Sequence, residues 1–180
     1  METIIKKITD ESILEAKNLL ECGEIIGMPT ETVYGLAAIG TNSEAVKKIY
    51  EVKGRPSDNP LIAHIHKDYD LTKLVYIEQS YVYDLIKNFM PGPLTLVLKS
   101  KGVICNEAVC GGDTLAVRMP LHEGCQKLLR AIDKPLVAPS ANISKHTSPV
   151  TAMHVYADLN GKIALILDGG KCRGGIESTV

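Results

Sequence analysis

The chain has 180 residues, which is the size of one ordinary domain and is enough to bury about two-thirds of the unfolded surface. Its 45% hydrophobic and 23% charged content is that of a globular protein and excludes a disordered one. With 20 basic and 21 acidic side chains the net charge is −1, which argues against a nucleic-acid binder that works through a broad positive surface.

No apolar run approaches the roughly 20 residues of a membrane span, and no signal-peptide core follows the charged first residues. The five cysteines contain no C-x-x-C pair. We therefore expect a reduced, cytoplasmic protein with buried or idle thiols and no membrane partner.

Hydrophobic periodicity predicts alternating helices and strands along the whole chain. The predicted helices cover residues 11–22, 41–52, 80–89, 122–131 and 151–156, and the predicted strands cover 25–28, 61–65, 94–98, 114–119, 136–138 and 163–167. Thr41 and Glu44 have the spacing of a capping box at the start of the second helix. The alternation predicts one layered α/β (α+β) domain over residues 1–180, with a sheet covered by helices.

Polar residues follow the first strand in the segment Pro29-Thr30-Glu31-Thr32. Ligands of layered sheets bind at such strand exits. A turn in which the threonine hydroxyls bind the local backbone explains the same residues equally well.

The segment 53–60 places two cations, Lys53 and Arg55, and the amide of Asn59 directly before a buried strand. Such donors can hold a phosphate chain without a Walker loop, although cations also suit the end of a helix. Donors recur after another strand, at Ser140 and Asn142, in a segment that is otherwise typical of a surface loop. No G-x-S-x-G elbow supports Ser140 as a nucleophile.

Two further pairs lie on predicted strands. His64 and His66 share one face, and a substrate-contacting or core role is favoured over zinc because no other ligand lies at suitable spacing. Thr114 and Arg118 also share a face. An arginine within an apolar strand needs a partner, and both a substrate carboxylate and a structural Asp or Glu remain open.

Together, six motifs closely resemble those of the Sua5/YrdC/TsaC family from about residue 10 to the end; they are P-T-E-T-V-Y-G-L, K-G-R-P-S-D-N-P-L, P-G-P-L-T-L-V-L, A-V-R-M-P, P-S-A-N-I-S and G-I-E-S-T-V. The resemblance implies a YrdC-like twisted mixed sheet, flanked by helices, around a concave basic pit. It also implies an L-threonylcarbamoyladenylate synthase, which condenses L-threonine, bicarbonate and ATP to threonylcarbamoyl-AMP and pyrophosphate. This is the first stage of making N6-threonylcarbamoyladenosine at position 37 of certain tRNAs.

The resemblance also implies the site residues. Lys53 and Arg55 are expected to be catalytic, with Mg²⁺ accompanying ATP and no metal site built by the protein alone. The expected ATP contacts are Lys53, Arg55, Asn59, Thr114, Ser140, Asn142 and Ser148. The expected threonine contacts are Thr32, His64, Arg118, the backbone of Ala138, and Ser178.

Family members continue beyond the E-S-T-V motif, so the resemblance implies a truncated or abbreviated chain. A tRNA threonylcarbamoyltransferase is the expected downstream partner, and tRNA itself a possible one. Two alternatives stay open: an RNA-binding module without catalysis, and a domain that forms a carbamoyl adenylate from carbamoyl phosphate.

Overall fold

The computed structural model describes all 180 residues and contains eight strands and six helices. The strands are β1 (Ile4–Lys7), β2 (Ile26–Met28), β3 (Gly35–Ile39), β4 (Ile62–His64), β5 (Thr95–Lys99), β6 (Thr114–Arg118), β7 (Leu136–Val137) and β8 (Leu165–Asp168). The helices are α1 (Asp10–Glu21), α2 (Ser43–Lys53), α3 (Tyr81–Phe89), α4 (Asn106–Val109), α5 (Glu123–Ile132) and α6 (Ala152–Leu159), with a 3₁₀ turn at Leu71–Lys73.

The strands form a single mixed sheet in the order β1-β8-β2-β3-β7-β4-β6-β5. Parallel pairing joins β1 to β8, β8 to β2 and β4 to β6, whereas the other neighbours are antiparallel. Every predicted strand and helix is present, and the predicted α/β class is confirmed. None of the helices is long and apolar enough to cross a bilayer.

The central strands of the sheet are buried on both faces, because their successive residues enter two different apolar clusters. In β3, Leu36 and Ala38 belong to a cluster of 28 buried residues, and Ala37 and Ile39 belong to a cluster of 15. This alternation follows the two-residue period of a strand. A polar side chain within such a sheet must therefore find its partners inside the protein or in a cavity.

Three elements were not expected from the sequence, namely β1, β3 and α4. Strand β3, Gly-Leu-Ala-Ala-Ile, is rich in small residues, so it has little of the usual strand signature. Pairing with β2 and β7 stabilises it as a strand despite the weak strand preference of its residues.

The start and the end of α2 matter for the site. The prediction that Thr41 caps this helix is wrong, because the Asn42 side chain accepts the bond from the backbone N–H of Ala45. The helix ends at Gly54, whose φ of +61° is left-handed. A glycine is favoured there, and it turns the chain sharply after Lys53 into the segment 55–60.

Candidate functional site

A row of buried polar side chains crosses three neighbouring strands. Strand register places Thr95 of β5 opposite Arg118 of β6, and Arg118 opposite His64 of β4. Residues opposite one another share a face of the sheet. The three side chains are only 1%, 4% and 4% exposed, respectively, so the row is desolvated.

The guanidinium of Arg118 is held from three directions. Its Nε donates to the carbonyl of Gly92 at 3.2 Å, one terminal nitrogen donates to the Thr32 hydroxyl at 3.1 Å, and the other is ion-paired with Glu31. Of the two partners that the sequence left open, a structural carboxylate is therefore present. A guanidinium has five N–H groups, so one hydrogen on each terminal nitrogen remains without a partner in the protein.

The imidazole of His64 is neutral at physiological pH. Burial, and next the nearby Arg118 cation, lower its pKa to about 3. Its Nδ1 lies 3.0 Å from the carbonyl of Ile62, which assigns the ring hydrogen to Nδ1 and leaves Nε2 as an acceptor. His66 lies beyond the end of β4, where it contacts Asp133 at 2.8 Å, so the two histidines do not form one site.

The row borders a small cavity of about 140 Å³. Seven of the twelve residues expected from the sequence line it: Thr32, Arg55, His64, Arg118, Ala138, Ser140 and Ser178. All five residues expected at the threonine site belong to this group, which brings together side chains from β4, β6 and four loops. A polar pocket of this kind suits a small amino acid better than an apolar ligand.

A second cavity, of about 1020 Å³, shares Thr30, Thr32 and Glu177 with the small one. The C-terminal segment that carries Glu177 is tied to the sheet beside both. The Ser178 hydroxyl lies 2.6 Å from that of Thr95, and the backbone N–H of Thr179 donates to the carbonyl of Pro93 at 2.9 Å.

Lys53 joins the two distant donor segments. Its ammonium donates to the backbone carbonyls of Ser140 and Asn142, each at 2.5 Å. These acceptors lie 87 and 89 residues after Lys53 in the sequence. Its side chain is only 2% exposed, and burial, followed by the charge of Arg55, lowers its pKa to about 8. The segments therefore meet as expected, but through the lysine and the loop backbone.

The four donor residues of the two segments do not all line the small cavity. Arg55 and Ser140 line the small cavity, whereas Lys53 and Asn142 do not. The Asn142 amide donates to the carbonyls of Ile143 and His146, and its buried Oδ1 has no partner. The physical reason is local: carbonyls of the 140–146 loop that lack strand partners take these donors.

Three other expected ATP contacts, Asn59, Thr114 and Ser148, do not line the small cavity. Arg55, which does line it, donates to the carbonyls of Asn59 and Pro60, at 3.2 and 3.0 Å. The Ser148 hydroxyl donates to Glu177 at 3.0 Å. Thr114 is exposed at the opposite end of β6 from Arg118, and the register of Ile62 with Ala116 puts it in step with Pro60.

Two residues that border the site were missed by reasoning from the sequence. Glu31 lies in a segment that a hydrogen-bonded turn explains equally well from the sequence, and it pairs with Arg118. Thr95 is the one polar residue of the predicted strand 94–98, and that break in the apolar pattern is a signal in the sequence.

The fold and the motifs have known relatives. Residues 18–180 match the Sua5/YciO/YrdC family model, which is described as telomere recombination. The chain is 47% identical over 175 residues to the threonylcarbamoyl-AMP synthase of Pyrococcus abyssi (strain GE5 / Orsay), covering 97% of this chain and 52% of that protein. It is 48% identical over 172 residues to the enzyme of the same name from Bacillus subtilis (strain 168), covering 95% and 50%.

A solved structure of P. abyssi Sua5 complexed with L-threonine superposes with a TM-score of 0.91 at 44% identity, covering 99% of this chain and 53% of that one. The chain thus spans about half the length of the curated relatives that it matches.

Proposed function

Because the chain belongs to the Sua5/YciO/YrdC family, we propose that it condenses L-threonine, bicarbonate and ATP to threonylcarbamoyl-AMP and pyrophosphate. The observation that carries this proposal is the small cavity, which is lined by all five residues expected to bind threonine. The product would serve a tRNA-modifying transferase in the cytoplasm.

Threonine would bind with its carboxylate on Arg118. The two free hydrogens on the terminal nitrogens match the two oxygens of a carboxylate. His64 offers a neutral acceptor at Nε2, and Ser178 offers a hydroxyl, on other walls of the same cavity. The related P. abyssi protein, whose structure contains L-threonine, supports the choice of amino acid.

ATP would bind across Arg55 and Ser140, which line the same cavity as the proposed threonine site. The fork of Arg55 suits phosphate oxygens. Lys53 would contribute without lining the cavity, because its ammonium holds the backbone of Ser140 and adds positive charge close to the phosphates.

The reaction needs positioning and charge neutralisation more than covalent chemistry. The amine of threonine and bicarbonate would give a carbamate with loss of water. A carbamate oxygen would then attack the α-phosphorus, forming the new P–O bond as the bond to pyrophosphate breaks. The protein supplies the alignment of the two substrates and the cations that stabilise the developing charge.

We propose that a magnesium ion accompanies ATP and uses the one carboxylate side chain in the lining of the small cavity. Protein sites for Mg²⁺–nucleotide complexes commonly use one or two carboxylates together with substrate phosphates. Glu177 supplies the carboxylate side chain of this lining, on the same cavity as Arg55. Bound there, the ion would neutralise phosphate charge.

Calorimetry and pyrophosphate release test the proposal directly. We expect binding of L-threonine to the unmodified protein, weaker binding of L-serine and L-valine, and pyrophosphate release that requires threonine, bicarbonate and ATP together. Carbamoyl phosphate in place of threonine and bicarbonate should not support release. RNA binding with a steep salt dependence, without threonine-dependent pyrophosphate release, would replace the enzyme by an RNA-binding module.

A further inference from the structure

Glu31 connects the guanidinium of Arg118 to the chain that leaves β6. One carboxylate oxygen of Glu31 pairs with a terminal nitrogen of Arg118, and the other accepts from the backbone N–H of Leu121 at 2.7 Å. Both partners are donors, so the position requires a group with two acceptor oxygens.

Glu31 does not line the small cavity itself. It lines the larger one with its side chain 15% exposed, and its ion-pair partner Arg118, 4% exposed, lines the small cavity. Glu31 can therefore act on a ligand of the small cavity through Arg118.

The orientation of the guanidinium depends on this contact. Gly92 holds Nε and Thr32 holds one terminal nitrogen, while Glu31 alone holds the other. Without the carboxylate, that nitrogen would lose its charged partner in a desolvated position, and the plane of the guanidinium would be free to tilt about the remaining bonds.

We propose that Glu31 is a positioning residue for substrate recognition, which holds Arg118 so that its two free N–H groups face the carboxylate of the amino-acid substrate. This inference rests on the proposed function, and it adds a residue outside the substrate cavity to the machinery that selects an α-amino acid. Glu31 assists the substrate carboxylate in this arrangement and does not compete with it for Arg118.

Glu31→Gln is the decisive variant, because a carboxamide has only one acceptor oxygen. It can satisfy either Arg118 or Leu121, and its NH₂ group must then face the other donor. Glu123→Gln is the matched control: Glu123 also lines the larger cavity, but its side chain is 90% exposed and lies 4.0 Å from Lys127, its ion-pair partner. Both variants remove one negative charge from the same cavity.

The experiment measures, by calorimetry, the affinities of each protein for L-threonine and, separately, for ATP with Mg²⁺. We expect Glu31→Gln to weaken L-threonine binding about tenfold or more, the usual effect of losing a charged hydrogen bond, and to change ATP binding less than about twofold. Glu123→Gln should change neither affinity.

Unchanged or tighter threonine binding by Glu31→Gln overturns the proposal, and so does an equal loss for both ligands, which would indicate general structural damage. If that variant folds poorly, Glu31→Asp provides the second reading: it keeps both oxygens but is one methylene shorter, so selective weakening of threonine binding is again expected. For each variant, the dissociation constant is calculated from the concentration of folded protein. A lack of threonine affinity in the unmodified protein would instead refute the proposed function.

Discussion

His64 and Arg118 lie directly opposite each other on the parallel strands β4 and β6, and each side chain is 4% exposed. Two neighbouring cations that are both buried away from water would carry a large desolvation cost. Because an arginine stays charged, the imidazole must stay neutral. The proposed threonine site thus combines one permanent cation with one neutral acceptor.

This pairing predicts a sensitivity of the fold to acid. The pKa of His64 is about 3 in the folded protein, against an ordinary value of 6.5. Between these values the unfolded chain binds a proton that the folded chain does not, so stability is lost as pH falls below 6.5. His64→Asn keeps a donor for the Ile62 carbonyl but cannot titrate. Between about pH 6.5 and pH 5, we expect its free energy of unfolding to fall by about 1.5 kcal/mol less than that of the unmodified protein.

Urea unfolding of both proteins at the two pH values gives this difference. Carboxylates titrate alike in both proteins and cancel. If the two proteins lose equal stability on acidification, then His64 is not held neutral by its surroundings.

The sequence was informative wherever a pattern is repeated locally. Two-residue and 3.6-residue periodicities located all six predicted strands and five helices, because each is set by neighbours in the chain. Strand β3 escaped because Gly35, Ala37 and Ala38 have weak strand preference, and burial between neighbouring strands decides its structure. The choice of Asn42 over Thr41 as cap depends on one residue of register, which propensity does not resolve.

Seven of the twelve residues expected from the sequence line the small cavity, but their contacts could not be predicted. The chemistry of Arg118 demanded a partner, yet only the fold shows that Glu31 provides it from 87 residues away. Likewise, the ammonium of Lys53 was expected to face a ligand, whereas two loop carbonyls take it. Such long-range choices depend on which groups the fold leaves without partners, and no local pattern encodes them.

The lowered pKa of Lys53 predicts that the free energy of unfolding changes in the alkaline range. Its pKa is about 8 in the folded protein against an ordinary 10.5, so between these values only the unfolded chain keeps the proton. Stability conferred by Lys53 therefore rises with pH in this window. We expect the free energy of unfolding of the unmodified protein, relative to Lys53→Met, to increase from about pH 8 to about pH 10.

Lys47→Met is the control for this comparison, because Lys47 lies on the same helix with its side chain 51% exposed. Its pKa is raised by its hydrogen bond to Glu44, so its removal should produce no such increase. Denaturant unfolding across the range provides the measurement, and parallel curves for Lys53→Met and the unmodified protein would contradict the buried, desolvated position of Lys53.

Arg55 predicts a selective effect on the nucleotide. Arg55→Lys keeps the charge but loses the planar fork that contacts the carbonyls of Asn59 and Pro60 and lines the small cavity. We expect kcat/KM for ATP to fall about tenfold or more, as for the loss of a charge-assisted hydrogen bond, with L-threonine affinity retained. Steady-state pyrophosphate release and calorimetry measure the two quantities.

Arg130→Lys serves as the control, since Arg130 is 52% exposed and pairs with Asp68 on the surface. It should leave both quantities unchanged. Equal effects of Arg55→Lys and Arg130→Lys on turnover would remove Arg55 from the nucleotide site.

Thr95 predicts that the C-terminal segment completes the threonine site. Thr95→Val conserves shape but removes the hydroxyl that lies 2.6 Å from that of Ser178. We expect a loss of about 1 kcal/mol in the free energy of unfolding, typical of one hydrogen bond, and a severalfold weaker affinity for L-threonine because Ser178 is no longer held at the cavity.

Thr41→Val, at an exposed position, should change neither quantity. Urea unfolding and calorimetry separate the two effects, and a destabilised Thr95→Val protein with unaltered threonine affinity would show that Ser178 takes no part in binding the amino acid.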